Sequence, residues 1–281
     1  MREIKSAVIF QNAVKRETEL PTLDIADFIS GHGIRVEVIK LTRNLKDSEV
    51  SVPEVDLAVS IGGDGTVLSC VNFVCKKGIP VIPVNLGTFG FITDTNVMEF
   101  REVFSDYING ITDVQERMML DVYVNGAFFS RVLNDVVVGV TSRAKVASLS
   151  LDIDFTHLSV LRCDGIIVST PTGSTAYSLS AGGPVLDTSL NAIVVNQICP
   201  FTLSARPLVV SGDSVIQVVA EKNQRVGLNL TADGRVFRAV NEDDVITVTK
   251  SAISALFVKN KKRNFINVLG SKLLWSGGFN A

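Results

Sequence analysis

The chain of 281 residues contains only two histidines, His32 and His157, and a single tryptophan. So few imidazoles come close to excluding a histidine-based triad or a His-rich zinc site. Its four cysteines, Cys70, Cys75, Cys163 and Cys199, form no CxxC and stand close to no histidine. Buried, reduced thiols of a cytosolic protein are the expectation. No apolar run approaches the roughly 20 residues that span a bilayer. The start MREIKSAVIF lacks the long apolar core and small-residue cleavage site of a signal peptide, and a cytoplasmic location follows as an expectation. Neither sign of charge dominates, with 27 Lys and Arg against 29 Asp and Glu, which argues against a nucleic-acid or membrane footprint. The only basic cluster, Lys259 to Arg263, reads as a solvated loop. There is no GxxxxGK followed by Ser or Thr, and no GxGxxG, so neither a P-loop nor a Rossmann fingerprint is present.

What the chain does have is Gly62-Gly63-Asp64-Gly65-Thr66, directly after the apolar run Leu57–Ile61. A β-branched strand that breaks into such a loop leaves backbone N–H groups outward, a seat for phosphate oxygens. Glycine lets a ligand approach without a Cβ in the way. Asp64 is the odd member, because a carboxylate repels phosphate unless a metal ion or a hydroxyl lies between them. Both resolutions point to phosphoryl transfer.

Two styles of patterning divide the chain. Up to about residue 110, short apolar runs (Ala7–Phe10, Ile34–Leu41, Leu57–Ile61, Ile79–Val84) alternate with helical spacing over Thr18–Ile29, after Thr66, and over Val97–Ile108. That rhythm predicts a mostly parallel sheet with crossover helices. From Leu120 onward, period-two runs dominate. Leu120–Val124 and Ala127–Val132 flank Asn125-Gly126, a type I′ hairpin signal, and Ser148–Phe155 alternates strictly. Further runs at Gly165–Val168, Ala192–Asn196, Val215–Ala220, Val226–Leu230 and Val245–Thr249 predict an all-β sandwich. The expected organisation is an α/β domain over residues 1–115 and a β-sandwich over 116–259. The tail, about 260–281, is expected to be partly helical and to pack back on the first domain.

Three further segments carry chemistry. Asn85-Leu86-Gly87-Thr88-Phe89-Gly90-Phe91 follows a parallel strand, where open α/β sheets bind ligands, and Phe89 or Phe91 offers a ring for stacking. Asn134-Asp135 interrupts an apolar run; the pair suits two ribose hydroxyls, or an Asx turn. The stretch Asp164 to Pro184 puts five hydroxyl residues between Ser169 and Thr175, small and polar enough for close nucleotide binding. His157, between two strands, reads as a turn residue.

GGDGT, NLGTFGF, LNDVVV and DGIIVSTPTGSTAYSLSAGGPV together resemble the NAD kinase family, in order from about residue 57 to about residue 235. Ile198-Cys199-Pro200 and Leu203–Leu208 fit as well. The resemblance implies an α/β domain followed by a β-sandwich, a homodimer or homotetramer, and transfer of the γ-phosphoryl of ATP (or polyphosphate) to NAD, with Mg²⁺ on the phosphates. It implies Asp64 as the catalytic carboxylate and Gly65 at the phosphates. Asn134 and Asp135 would hold the ribose, where the family often has Glu at the second place. Phe91, Lys145, Arg162, Asp164, Thr172, Thr175, Ala176, Tyr177, Ser178, Leu179 and Ser180 align with nucleotide-contacting positions. Two residues depart from the pattern: Phe201 stands where many members have His, and Arg235, also a candidate contact, where many have Gln. GGDGT is shared with lipid kinases of the diacylglycerol and sphingosine type, which form the rival enzyme reading. A non-catalytic nucleotide sensor is the other alternative.

Overall fold

The computed structural model describes residues 2–42, 50–87, 90–141, 145–224 and 226–273. The chain divides into two compact units, Met1–Glu116 with Ala255–Ala281, and Arg117–Ser254.

The first unit begins with β1 (Ser6–Asn12), α1 (Glu19–Ser30), β2 (Arg35–Leu41), β3 (Leu57–Ile61), α2 (Asp64–Val74) and β4 (Val81–Asn85). The short β5 (Thr95–Asn96), α3 (Val97–Ile108) and β6 (Val114–Arg117) follow. β2, β1, β3 and β4 pair in that order, all parallel, with Ile9 beside Val59 and Val59 beside Ile82. All residues of β3 and β4 are buried, as expected of central strands covered on both faces. Their apolar side chains and those of α1 and α3, Ile25, Ile29, Phe100 and Phe104 among them, form one core. α3 starts with a capping box: Asn96 accepts from the Glu99 N–H, and Glu99 accepts from the Asn96 N–H, which satisfies two otherwise orphaned donors.

The second unit runs through β7 (Leu120–Val124), β8 (Ala127–Val132), β9 (Asp135–Val140), β10 (Ala147–Ile153), β11 (Thr156–Cys163), β12 (Gly165–Ser169) and α4 (Tyr177–Ser180). β13 (Ala192–Ile198), β14 (Leu208–Ser211), β15 (Ile216–Ala220), β16 (Leu228–Ala232), β17 (Val236–Val240) and β18 (Val245–Lys250) complete it. Two six-stranded sheets form, β11-β10-β15-β18-β7-β8 and β14-β13-β12-β9-β16-β17. Every pairing given within them is antiparallel. Alternate residues such as Leu149 and Leu151, Val136 and Val138, and Leu228 and Leu230 face a common core, which is the sandwich the period-two runs predict. At the β7–β8 hairpin Asn125 and Gly126 have φ of 52° and 79°, as a type I′ turn requires.

β19 (Ala255–Val258) then returns to the first unit, where it lies between β4 and β6 and pairs parallel with β4. This corrects the expected boundary at 259: the strand is part of the parallel sheet because Ala255, Phe257 and Val258 are buried there. α5 (Phe265–Lys272) follows. Other expectations shift as well. α2 starts at Asp64, two residues before Thr66, so the acidic residue stands in the first helical turn. Asp154 and Phe155 turn the chain with positive φ, and His157 belongs to β11, its Nδ1 2.8 Å from Asp152. Cys70, Cys75 and Cys163 are buried, whereas Cys199 is exposed.

The basic cluster after β19 is no free loop. Lys262 pairs with Glu102 at 2.5 Å, Arg263 with Glu99 at 2.9 Å and Lys261 with Asp106 at 3.6 Å. Glu99, Glu102 and Asp106 recur along α3 at the three- and four-residue spacing that lines one helix face. Helical spacing of the acids and proximity of the β19 turn explain why this stretch is paired.

Candidate active site

In the first unit, strands β1, β3 and β4 end along one side of the sheet, and the chain leaves β1 for β2 on one flank and β3 for β4 on the other. Open α/β sheets keep ligands at such a switch point. A cleft of about 590 Å³ lies there, lined by Lys15 and Glu17 after β1, Gly62, Gly63 and Asp64 after β3, and Asn85, Leu86 and Gly87 after β4. Gly90, Thr93 and Val97 close it.

Asp64 is held hard against the segment after β4. Its Oδ2 accepts from the Phe91 N–H at 3.1 Å, and its Oδ1 accepts from the Thr93 N–H at 3.1 Å and the Thr93 hydroxyl at 2.8 Å. The Thr93 hydroxyl in turn accepts from Asn85 Nδ2 and the Gly90 N–H, each at 2.9 Å. One donor and two acceptor positions exhaust a hydroxyl, so its orientation is fixed. A carboxylate offers about four lone-pair directions, and the chain takes three. Gly90 must be glycine for this arrangement: a Cβ there would lie 1.8 Å from Asp64 Oδ1. Around Gly63, Gly65 and Gly87 a Cβ would meet nothing within 4 Å, so packing within the chain does not demand glycine at those three positions.

In the second unit, Asn134 and Asp135 open β9, and Ser169 at the end of β12 is the ladder partner of Asp135. The hydroxyls of the following loop turn inward. Ser169 donates to the Asn134 carbonyl, Thr170 to the Leu133 carbonyl and Ser174 to the Pro171 carbonyl, while Thr175 donates to the Thr172 carbonyl. Those four hydroxyls fold the loop around its own backbone. Gly173 packs on Asn134 so closely that a Cβ would lie 2.0 Å from its carbonyl oxygen. Asn196 Nδ2 donates to the Ser178 carbonyl at 3.0 Å and steadies α4.

Three polar features stand out. Asn134 Oδ1 and Ser178 Oγ are buried without a hydrogen-bond partner, a costly state that a ligand donor would relieve. The third is a pair of acids. Asp233, in a turn at φ 46°, accepts from the N–H groups of Leu133, Asn134 and Asp135 at 2.9, 2.8 and 3.1 Å. Burial pushes the Asp135 carboxyl up to about 7, the neighbouring Asp233 charge pushes the same way, and the Tyr177 N–H pulls back. Burial also raises Asp233, against the three N–H groups and the Arg235 charge.

The structure thus gathers Asn134, Tyr177 and Arg235 around the Asp135–Asp233 pair through their contacts and electrostatics. Thr172 is buried, Thr175, Ala176 and Leu179 are half-buried, and Ser180 is exposed. Asp164 and the half-exposed Tyr177 line a second cavity of about 460 Å³ with Val137, Asn229 and Phe237. Lys145 lies two residues before β10 and Arg162 is the penultimate residue of β11, in the other sheet; both are exposed. Arg162 lies 4.8 Å over the Phe201 ring, so that departure supplies a cation–π contact. In the first unit Gly65 is exposed and Phe91 half-buried; the Phe91 contact to Asp64 is made by its backbone. Phe89 and Thr88 lie outside the described residues. Thr93 and Asp233 carry much of the geometry and were not marked by the sequence, whereas Asn85 opens the segment it singled out. Among the described residues, no group of three or more His, Cys, Asp or Glu converges on a metal position, and no helix is long and apolar enough to cross a membrane.

A parallel-sheet unit with a glycine-walled cleft, followed by a sandwich with an Asn-Asp pair at a hydroxyl-rich loop, defines a two-domain nucleotide-handling class. The ATP-NAD kinase N-terminal domain family matches residues 9–112, and the ATP-NAD kinase C-terminal domain family matches residues 133–260. An NAD kinase of Syntrophotalea carbinolica is 35% identical over 90% of this chain and 92% of its own. One of Treponema denticola is 36% identical over 98% of each. Among solved structures, an NAD kinase from Archaeoglobus fulgidus in complex with ATP is 30% identical, with a TM-score of 0.77 over 95% of this chain and 97% of that one. Yeast NADH kinase complexed with NADH, at 23% identity, has a TM-score of 0.87 over 100% of this chain and 90% of that one, and shares the fold. The chain belongs to the NAD kinase family.

Proposed function

We propose that the protein transfers the γ-phosphoryl of ATP to the 2′-hydroxyl of the adenosine ribose of NAD, giving NADP. The observation that carries this reading is Asp64, fixed by three donors with about one acceptor direction left, in a cleft whose Gly63 and Gly87 leave open space. A relative of 30% identity is solved with ATP, and family membership favours NAD over the lipid acceptors of the rival kinases and over a sensor.

Phosphoryl transfer asks for positioning and charge neutralisation more than covalent help. The ribose hydroxyl donates to Asp64, which accepts the proton as the oxygen bonds to the γ-phosphorus and the bond to the β-phosphate oxygen breaks, leaving ADP. Such general-base help contributes about 10²–10⁴-fold. Asn134, with its buried unpartnered Oδ1, and Asp135 hold the ribose, while the Tyr177–Ser180 turn receives the rest of the dinucleotide. Lys145 and Arg162 offset phosphate charge. Mg²⁺ suits this donor set as an ion carried in by the phosphates and water rather than caged by the protein; when bound, it neutralises charge on the transferring group. An assembly of several copies, placed in the cytoplasm, belongs to the same proposal.

The test is NADP formation from NAD, ATP and Mg²⁺, followed with a dehydrogenase specific for NADP. Formation with ATP supports the reading, and formation with polyphosphate alone changes the donor. No product with either donor, while NAD still binds, would favour the sensor.

A further inference from the structure

The grip on Asp64 is only as firm as the segment that supplies it. Phe91 and Thr93 belong to the connection between β4 and α3, and that connection is secured from far along the chain. Past β19 the chain turns at Asn260, with the Arg263 N–H donating to the Asn260 carbonyl at 3.1 Å. Asn260 is 4% exposed. Its Oδ1 accepts from the Lys262 N–H at 3.0 Å, which sets the direction of its amide. The amide nitrogen then faces the Asp94 carbonyl, the Thr95 hydroxyl and Glu99 Oε2 at 3.3, 3.5 and 3.4 Å. Two protons shared among three acceptors give long, individually weak bonds. Their placement matters more than their strength, since all three acceptors lie just beyond Thr93.

Glu99 is the second tie. One carboxylate oxygen closes the α3 capping box on the Asn96 N–H, and the other accepts from Arg263 at 2.9 Å. The guanidinium therefore holds the residue that holds the start of α3. From Asn260 and Arg263 the contacts run through Asp94, Thr95 and Glu99 to Thr93, and from Thr93 to both N–H and O–H bonds on Asp64 Oδ1.

We propose that Asn260, with Arg263 acting through Glu99, is a positioning residue for the Asp64 carboxylate. The proposal rests on Asp64 being the catalytic group. A displacement of the reacting carboxylate by about 1 Å is enough to lower turnover on the order of 10²-fold, and neither residue reaches the cleft lining. The ion pairs farther along α3 hold the same turn without touching the 90–96 segment, which makes them controls.

The experiment compares full-length Asn260→Ala and Arg263→Lys with Lys262→Ala, measuring kcat, both KM values and hydrogen exchange at the Phe91 and Thr93 amides. Asn260→Ala is expected to lower kcat by about 10-fold or more, to leave KM for NAD and ATP within about threefold, and to speed exchange at those two amides. Arg263→Lys, which keeps the charge but not the fork, is expected to show a smaller change of the same pattern, and it carries the test if Asn260→Ala fails to fold. Lys262→Ala is expected to match the parent. The proposal is overturned if exchange at Phe91 and Thr93 stays at the parent rate, or if kcat per folded molecule is unchanged. Should the parent form no NADP at all, the reading of Asp64 fails, and the exchange rates alone still decide whether the C-terminal turn controls that carboxylate.

Discussion

Asp64 in the first unit and Asp135 in the second are both carboxylates beside a glycine-dependent turn, yet the chain surrounds them in opposite ways. Asp64 is half-buried and ringed by three donors, which fix the position of both its oxygens. Asp135 is 5% exposed, faces a second carboxylate and receives one backbone N–H, so its environment favours the proton. The difference separates two tasks that a sequence prints in the same letter. In the proposed reaction the first acid takes the proton at the moment of transfer, and the second, its carboxyl raised to about 7, holds a ribose.

Apart from replacing Asp64 itself, the largest effect expected in either region comes from a methyl at Gly90, aimed at Asp64 Oδ1. Its obstruction falls on side-chain ends, Asp64 and Thr93 Oγ1 at 1.8 and 2.4 Å. Gly90→Ala should therefore lower kcat on the order of 10²-fold, with a much smaller loss of stability; steady-state kinetics beside a denaturation curve checks the split. Gly173→Ala should behave in reverse, because its Cβ meets the Asn134 backbone at 2.0–2.6 Å, which cannot swing away. A loss of about 1–3 kcal/mol in urea unfolding is expected, and an unchanged midpoint would mean the loop relaxes freely.

The acid pair sharpens the contrast through pH. Because the folded-state pKa of Asp135 lies above the ordinary carboxylate value, the folded protein binds that proton more tightly than the unfolded chain. Ionisation therefore erodes stability as pH rises from about 4 to about 7, and the full penalty stands above that window. Asp135→Asn removes the penalty and keeps an acceptor for the Tyr177 N–H. Its stability relative to the parent should rise between pH 5 and pH 8 in parallel urea titrations; a difference independent of pH would place Asp135 in the ordinary range. The smallest change belongs to Gly65, an exposed residue in the first turn of α2 with open space before it. Gly65→Ala should hold or raise stability, by no more than about 1 kcal/mol, while raising KM for ATP; an unchanged KM would mean phosphate does not approach there.

Much of this was legible in the sequence, and the limits have physical causes. Five buried residues after a polar segment mark β3, and Asn125-Gly126 marks the hairpin, because local sterics alone decide both. Asp64 was legible from its glycine neighbours. Thr93 was not: a threonine becomes important only when a loop folds back on a helix start, a contact no spacing rule encodes. Asp233 was hidden likewise, since its three donors lie about a hundred residues earlier. Thr170 and Ser174 show the same limit, since loop hydroxyls look alike in sequence whether they face a ligand or, as here, their own backbone. β19 escaped because a four-residue strand far from its parallel partners carries no local signal of which sheet it joins.

The division of labour between the two acids is tested most directly by measuring NAD affinity and turnover together in Asp64→Asn. The amide keeps the shape and the two Thr93 bonds on one oxygen, but it cannot take up the proton and turns a donor toward the Phe91 N–H. The predicted result is turnover lowered by about 10²–10⁴-fold with a dissociation constant for NAD within about threefold of the parent, read by titration calorimetry. A loss of NAD binding as large as the loss of turnover would contradict the account, making Asp64 a substrate-holding group and leaving the proton acceptor to be found elsewhere.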